Sequence, residues 1–146
     1  MEHKEIKIII NSDLKNVSLV GMAISALCPL IARPHISASD IELCVVEAVN
    51  NCIEHAYEKE KGHEIEVRFK LRQDRLVIDV YDTGKSMDMK RLDQTNLSAL
   101  EMDPDQIETI AEQGRGLAII KEIMDVVDYE TKDGKNCLSL TKFFNA

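Results

Sequence analysis

The sequence predicts an α+β fold: a two-layer α/β sandwich with one mostly antiparallel sheet carrying helices on one face. Three observations predict it. Ile65, Val67, Phe69 and Leu71 alternate with Glu66, Arg68 and Lys70, and Leu76, Ile78 and Val80 repeat the pattern after a short turn at Gln73-Asp74. That alternation marks a hairpin with one buried and one wet face. The segment around residues 40–58 projects as a helix with a single apolar arc, as a helix lying on a sheet requires. The overall order of signals, β-α-α-β-β-(loop)-α-β-β, supplies helices and sheet strands for two layers.

Each element has its own warrant. Ile6, Ile8 and Ile10 alternate with neighbouring residues and predict a first strand. Leu14 to about Ala32 reads as a helix perturbed near Pro29, because proline removes a backbone donor. Arg33-Pro34-His35 is a connector. Ser39 with Glu42 has capping-box spacing, which predicts a second helix starting near Asp40. On that helix Ile41, Val45, Ala48, Val49, Cys52, Ile53 and Ala56 share one arc. Asp40, Glu47, Asn51, Glu54, His55 and Glu58 share the other. Residues 82–113 break the patterning, and so long a stretch inside a compact domain is usually functional. Gly116 to Asp125 predicts a helix. Val127, Tyr129 and Thr131 predict a strand, Asp133-Gly134 a hairpin turn, and Leu138 and Leu140 the last strand.

The chain has 146 residues, which suits one domain with a core able to stand without a staple. Its formal charge of −8 argues against a nucleic-acid-binding face, which carries a basic stripe. It leaves nucleotide binding open, because a few local donors hold a phosphate. No apolar run approaches the roughly 20 residues of a membrane span, so no membrane association is expected. Met1-Glu2-His3-Lys4 lacks the layout of a signal peptide, and a cytoplasmic location is the expectation. Cys28, Cys44, Cys52 and Cys137 form no CxxC pair and read as free thiols.

Three motifs carry chemistry. Glu47 and Asn51 lie one helical turn apart on the polar arc. Asn51 offers a hard carbonyl oxygen for Mg²⁺, which takes few protein ligands. Glu47 is placed to accept a proton near the terminal phosphate. Asp82 ends a strand before Gly84. A carboxylate there accepts from adenine's amine and rejects guanine's carbonyl, and Gly84 permits close approach of a flat base. Gly114-Arg115-Gly116 precedes a helix whose N-terminus favours an anion, with Arg115 adding charge. Taken singly, each motif is more often ordinary: a solvated helix face, an Asp-x-Gly turn, a flexible loop. His55 reads as structural or supporting. The three in this order read as an ATP site.

These residues resemble a known superfamily. Glu47-Ala48-Val49-Asn50-Asn51 with His55-Ala56-Tyr57 resembles the N-box of the GHKL ATPases. Asp82-Thr83-Gly84 resembles the first glycine box and Gly114-Arg115-Gly116-Leu117 the second. Met124-Asp125-Val126-Val127 and Leu140-Thr141-Lys142 resemble features of the anti-sigma-factor serine kinases. The resemblance implies a Bergerat-type fold over residues 1–146, a lid at about 85–115, and ATP with Mg²⁺ as cofactors. It implies Glu47 as general base, Asn51 as Mg²⁺ ligand and Asp82 as adenine acceptor, with Gly84, Gly114, Arg115, Gly116 and Leu117 at the nucleotide. Family members phosphorylate a serine on an anti-anti-sigma (STAS) protein and sequester a sigma factor, often as homodimers. Lys85-Ser86-Met87 stands where the family usually has a second glycine or Pro-Phe, and the lid is acidic. Those departures keep a second reading open, a non-catalytic ATP-dependent binding module in a partner-switching pathway. A third, the ATPase half of a sensor histidine kinase, lacks a helix pair before the first strand. The isoleucine-rich first strand is a candidate dimer edge or face. The partner's identity is not readable from the sequence.

Overall fold

The protein is described from a computed structural model covering residues 3–88 and 112–145. In chain order the elements are β1 (Lys4–Asn11), α1 (Val17–Leu27), α2 (Ala38–Asn51), β2 (Glu64–Leu71), β3 (Arg75–Asp82), α3 (Glu112–Ile123), β4 (Val126–Lys132) and β5 (Lys135–Phe143). Short 3₁₀ turns at Leu14–Asn16 and Cys28–Ile31 flank α1, and a π-helical turn, Cys52–Ala56, continues α2. The strands form one sheet in the order β1-β2-β3-β5-β4, and every neighbouring pair is antiparallel. The expected α+β sandwich is thus the observed architecture. Most of the expected lid, residues 89–111, lies outside the described residues.

The alternation in β2 and β3 does what it predicts. Ile65, Val67, Phe69 and Leu71, with Leu76, Ile78 and Val80, are buried against the helices. From β5, Leu138 and Leu140 join them. The opposite face is polar and tied together. Lys70 Nζ lies 2.6 Å from Asp79 Oδ2, Arg68 Nε lies 2.8 Å from Glu66 Oε2, and the Arg68 guanidinium lies over Tyr81. The two end strands are β1 and β4. On β1, Ile6 and Ile9 remain exposed.

Two helix boundaries differ from the sequence expectation. Helix α2 begins at Ala38, and its cap is Ser37, whose side chain accepts from the Asp40 amide at 3.3 Å. The capping-box spacing of Ser39 pointed two residues too far, because both serines sit before the apolar arc and either satisfies the pattern. The expected first helix is shorter than Leu14–Ala32. Its ends tighten into 3₁₀ turns, with Pro29 in the second, and Ala32 takes a left-handed conformation (φ 53°) that stops it. Contrary to the expectation that no apolar run approaches the length of a membrane span, the stretch Leu14–Ile31 is long and apolar enough by composition to cross one. In this fold it is three short helical pieces whose inner residues Val17, Val20, Ile24, Cys28 and Ile31 join the common core.

At its far end α2 does not continue as a regular α-helix. Across Cys52–Ala56 it widens, and the Tyr57 amide donates to the Cys52 carbonyl five residues back at 2.9 Å. Such π turns are rare and concentrate at functional sites. Here the widened turn frees the Ala56 carbonyl, which accepts from the Lys85 amide at 2.8 Å. That bond joins the end of α2 to the segment after β3.

Candidate functional site

A cavity of about 390 Å³ opens between the π turn, the end of β3, α3 and the β4–β5 hairpin. Its size falls within the roughly 300–1,000 Å³ usual for small-molecule sites. Asn51, Cys52, His55 and Ala56 line it from the α2 side, and Asp82, Ser86 and Met87 from the β3 side. Leu117, Tyr129 and Leu138 line it from α3 and the hairpin, and the charged Glu54, Glu58, Lys85 and Asp88 also stand on its wall. Asn51, Asp82 and Leu117, drawn from three segments far apart in sequence, therefore share one cavity.

Asp82 is 7% exposed and its carboxylate is held from three directions. Oδ1 accepts from the Gly84 amide at 3.0 Å and from Asn136 Nδ2 at 2.7 Å. Oδ2 accepts from Cys52 Sγ at 3.4 Å. The strand register explains the Asn136 contact, since Asp82 and Asn136 are directly paired across β3 and β5. Cys52 is itself buried against this carboxylate, and burial, together with the adjacent negative charge, pushes its thiol well above the ordinary range. Cys44 is likewise pushed up to about 12 by burial. All four cysteines are free thiols, and Cys28, Cys44 and Cys52 are buried.

Glu47 lies one turn before Asn51, where α3 crosses α2. A Cβ placed on Gly116 would stand 2.7 Å from Glu47 Oε2 and 3.7 Å from Asn51 Oδ1. Gly116 therefore leaves the Glu47 and Asn51 polar atoms room that a side chain would take. Burial raises the Glu47 pKa, opposed by nearby Arg115 and reinforced by Glu54. Arg115 itself is exposed.

The second glycine motif is placed differently from the expectation of a loop preceding a helix. Helix α3 starts at Glu112, so Gly114, Arg115, Gly116 and Leu117 are all helical. Glycines read as loop signals in a sequence, yet an isolated helical glycine usually has a packing reason. For Gly116 that reason is Glu47. Gly84 also differs. Its Cβ would overlap the Ala56 carbonyl oxygen, so the glycine is required by backbone packing against the π turn. That contact, rather than the approach of a base alone, demands a residue without a side chain.

Sequence reasoning missed Asn136 and the Asp82 contact of Cys52, and gave Tyr57 no role beyond its place in the N-box resemblance. Asn136 was legible as a polar residue in the inward register of Leu138 and Leu140, an unusual place for an unpaired amide. Cys52 was placed on the apolar arc, and its contact with Asp82 carried no sequence signal. Tyr57 is buried and ties the π turn to the sheet: its hydroxyl donates to the Glu64 carbonyl at 2.6 Å and accepts from the Thr83 amide at 2.8 Å.

Known proteins share this arrangement of helices over an antiparallel sheet. The histidine kinase-like ATPase domain family matches residues 10–142, and the chain belongs to that family, with the anti-sigma-factor serine kinases as its branch. Among similar proteins is the serine-protein kinase RsbW of Bacillus licheniformis, 30% identical over 129 residues, covering 88% of this chain and 79% of the relative. RsbW of Listeria innocua is 27% identical over 147 residues, covering 98% and 89%. In fold, the chain is similar to a chain of the SiaB-SiaC complex from Pseudomonas aeruginosa, with TM-score 0.53 and 17% identity, covering 93% of this chain and 89% of that one.

Proposed function

We propose that the protein is an ATP-dependent serine kinase that acts as a regulatory switch, phosphorylating a serine on an anti-anti-sigma (STAS) partner and sequestering a sigma factor. The reading rests above all on one observation: Asn51 and Asp82 line a common cavity, with Glu47 one helical turn from Asn51. The names of the RsbW relatives support the serine-kinase chemistry. A cytoplasmic location accompanies it.

In this reading Asp82 receives the amine of adenine, and Leu117 and Leu138 give the base apolar walls. Asn51 holds the metal through its side-chain oxygen. The donor set fits Mg²⁺: the cavity wall carries the hard oxygen of Asn51 and the carboxylates of Glu54, Glu58 and Asp88, and among the described residues no cluster of three His, Cys, Asp or Glu would hold a metal by itself. When bound, the metal neutralises charge on the phosphate oxygens. Glu47 accepts the proton of the partner's serine hydroxyl, a task eased by a carboxylate pKa raised toward the working pH. Arg115 and the N-terminal end of α3, with Gly114 and Gly116, would hold the phosphates and add positive charge there.

Calorimetry tests the site. ADP is expected to bind with an affinity that rises when Mg²⁺ is added, and GDP to bind at least about tenfold more weakly. Asn51→Ala is expected to erase the metal-dependent increment and leave the base preference. Equal affinity for ADP and GDP would refute the role given to Asp82.

The homodimer belongs to the same proposal. No charged residue occurs between Lys15 and Arg33, although Leu19 and Met22 of α1 are among the most exposed apolar side chains. In a chain of charge −8, such an uncharged face is where two copies meet with least repulsion. Sedimentation is expected to show a dimer that Met22→Lys dissociates. A wild-type monomer at high concentration would dismiss it.

A further inference from the structure

We infer that the tip of the β4–β5 hairpin is the base-selecting element of this site: Asn136, held in place by Ser86 and Thr131, fixes the Asp82 carboxylate for a purine bearing an exocyclic amine. The inference rests on the nucleotide reading above and names the residues that set its specificity.

Asn136 is 1% exposed, and all four of its hydrogen-bonding positions are filled. Nδ2 donates to Asp82 Oδ1 at 2.7 Å and to the Gly84 carbonyl at 3.0 Å. Oδ1 accepts from the Thr131 hydroxyl at 2.7 Å and from the Ser86 hydroxyl at 3.0 Å. The amide has one workable orientation. Turned over, its oxygen would face the Asp82 oxygen and the Gly84 carbonyl, three acceptors with no proton among them. Asp82 Oδ1 and the Gly84 carbonyl, which can only accept, thus decide which end of the amide Asp82 meets, and the two hydroxyls hold the other end in place.

The consequence falls on Asp82. A carboxylate has about four acceptor positions. Gly84 and Asn136 occupy Oδ1, and Cys52 occupies one position on Oδ2. What is left is an acceptor on Oδ2, with both Asp82 and Cys52 on the cavity wall. A purine amine satisfies that acceptor. A purine carbonyl at the same ring position sets oxygen against oxygen and leaves the buried acceptor unmet, which is how polar sites discriminate most strongly.

This arrangement also gives Ser86 a purpose. It stands at the position where the resembled family usually carries a glycine or proline, and here its hydroxyl closes the network to the hairpin, with Thr131 Oγ1 3.3 Å away. One residue further on, the Met87 amide donates to the Tyr129 hydroxyl at 2.9 Å. The chain leaving β3 is therefore fastened to β4 at two successive residues. Asn136, Ser86 and Thr131 are positioning residues, acting through Asp82.

The test compares ADP with IDP, whose base has a carbonyl in place of the amine, by calorimetry. The wild-type chain is expected to prefer ADP by about tenfold or more. Asn136→Leu is expected to weaken ADP and to shrink the ADP-to-IDP ratio several-fold, because the carboxylate is free to turn. Ser86→Ala combined with Thr131→Val changes two exposed residues and keeps Asn136, so it loosens the hold on the amide without disturbing the core. The ratio is expected to shrink there too. A merely structural role weakens both nucleotides together and leaves the ratio unchanged. An unchanged ratio in either folded variant overturns the inference. A wild-type chain that binds no ADP overturns the nucleotide reading along with it.

Discussion

Glu47→Gln is expected to lower phosphoryl transfer from Mg-ATP to a STAS partner by about 10²–10⁴-fold while leaving ADP affinity within a few-fold of wild type. The substitution keeps the volume of the side chain beside Gly116 and removes only its ability to take a proton. The base touches no part of adenine, so binding and transfer separate. The pH dependence adds a second check. Burial raises the Glu47 pKa above its ordinary 4.5, and Arg115 only partly offsets this. Only the ionised form accepts a proton, so the wild-type rate is expected to fall on acidification with an inflection above 4.5, and the residual rate of Glu47→Gln to lack that inflection. Stability follows the opposite sense. A carboxylate whose folded pKa is raised contributes fully below its unfolded pKa and loses that contribution as pH rises through the folded value. Glu47→Gln is therefore expected to melt no lower than wild type at neutral pH. Normal transfer by the variant removes the base assignment. ADP binding without transfer by the wild-type chain to any STAS partner would favour the binding-module reading.

The second large effect is expected at Gly84. In Gly84→Ala the new methyl group would overlap the Ala56 carbonyl oxygen, and both sides of that contact are backbone. Either the end of β3 or the π turn has to move, and the bond from the Lys85 amide to the Ala56 carbonyl goes with it. Overpacking of this kind costs about 1–3 kcal/mol, which in a domain of this size lowers the melting temperature by several degrees, at about 2–4 °C per kcal/mol. Because both displaced segments are cavity walls, ADP affinity is expected to fall at least about tenfold as well. Gly116→Ala makes the useful contrast. Its methyl meets the tip of the Glu47 side chain, which can swing away. That variant is expected to stay nearly as stable and to lose transfer more than binding. A Gly84→Ala protein with wild-type melting and ADP affinity would contradict the role given to the π turn.

The parts of the fold legible in the sequence are those governed by periodicity. The β2–β3 hairpin and the apolar arc of α2 follow from side-chain alternation at two periods, and the structure buries the same residues. The pairing of Glu47 with Asn51 was legible for the same reason, because four residues make one turn. What periodicity does not carry stayed hidden. The π turn depends on a carbonyl finding the Lys85 amide some thirty residues away. The helical placement of Gly116 goes with its packing on the neighbouring helix, which local preference does not reveal. Asn136 reaches Asp82 only because β5 inserts between β3 and β4, and that strand order is a property of the whole sheet.

The central claim is that the segments carrying Glu47 and Asn51, Asp82, and Leu117 enclose adenosine and its phosphates. A crystal structure with Mg²⁺ and a non-hydrolysable ATP analogue tests it most directly. The account expects the adenine amine at about 3 Å from Asp82 Oδ2 and the metal on Asn51 Oδ1. A nucleotide bound elsewhere, or in the cavity with its base turned away from Asp82, would contradict it.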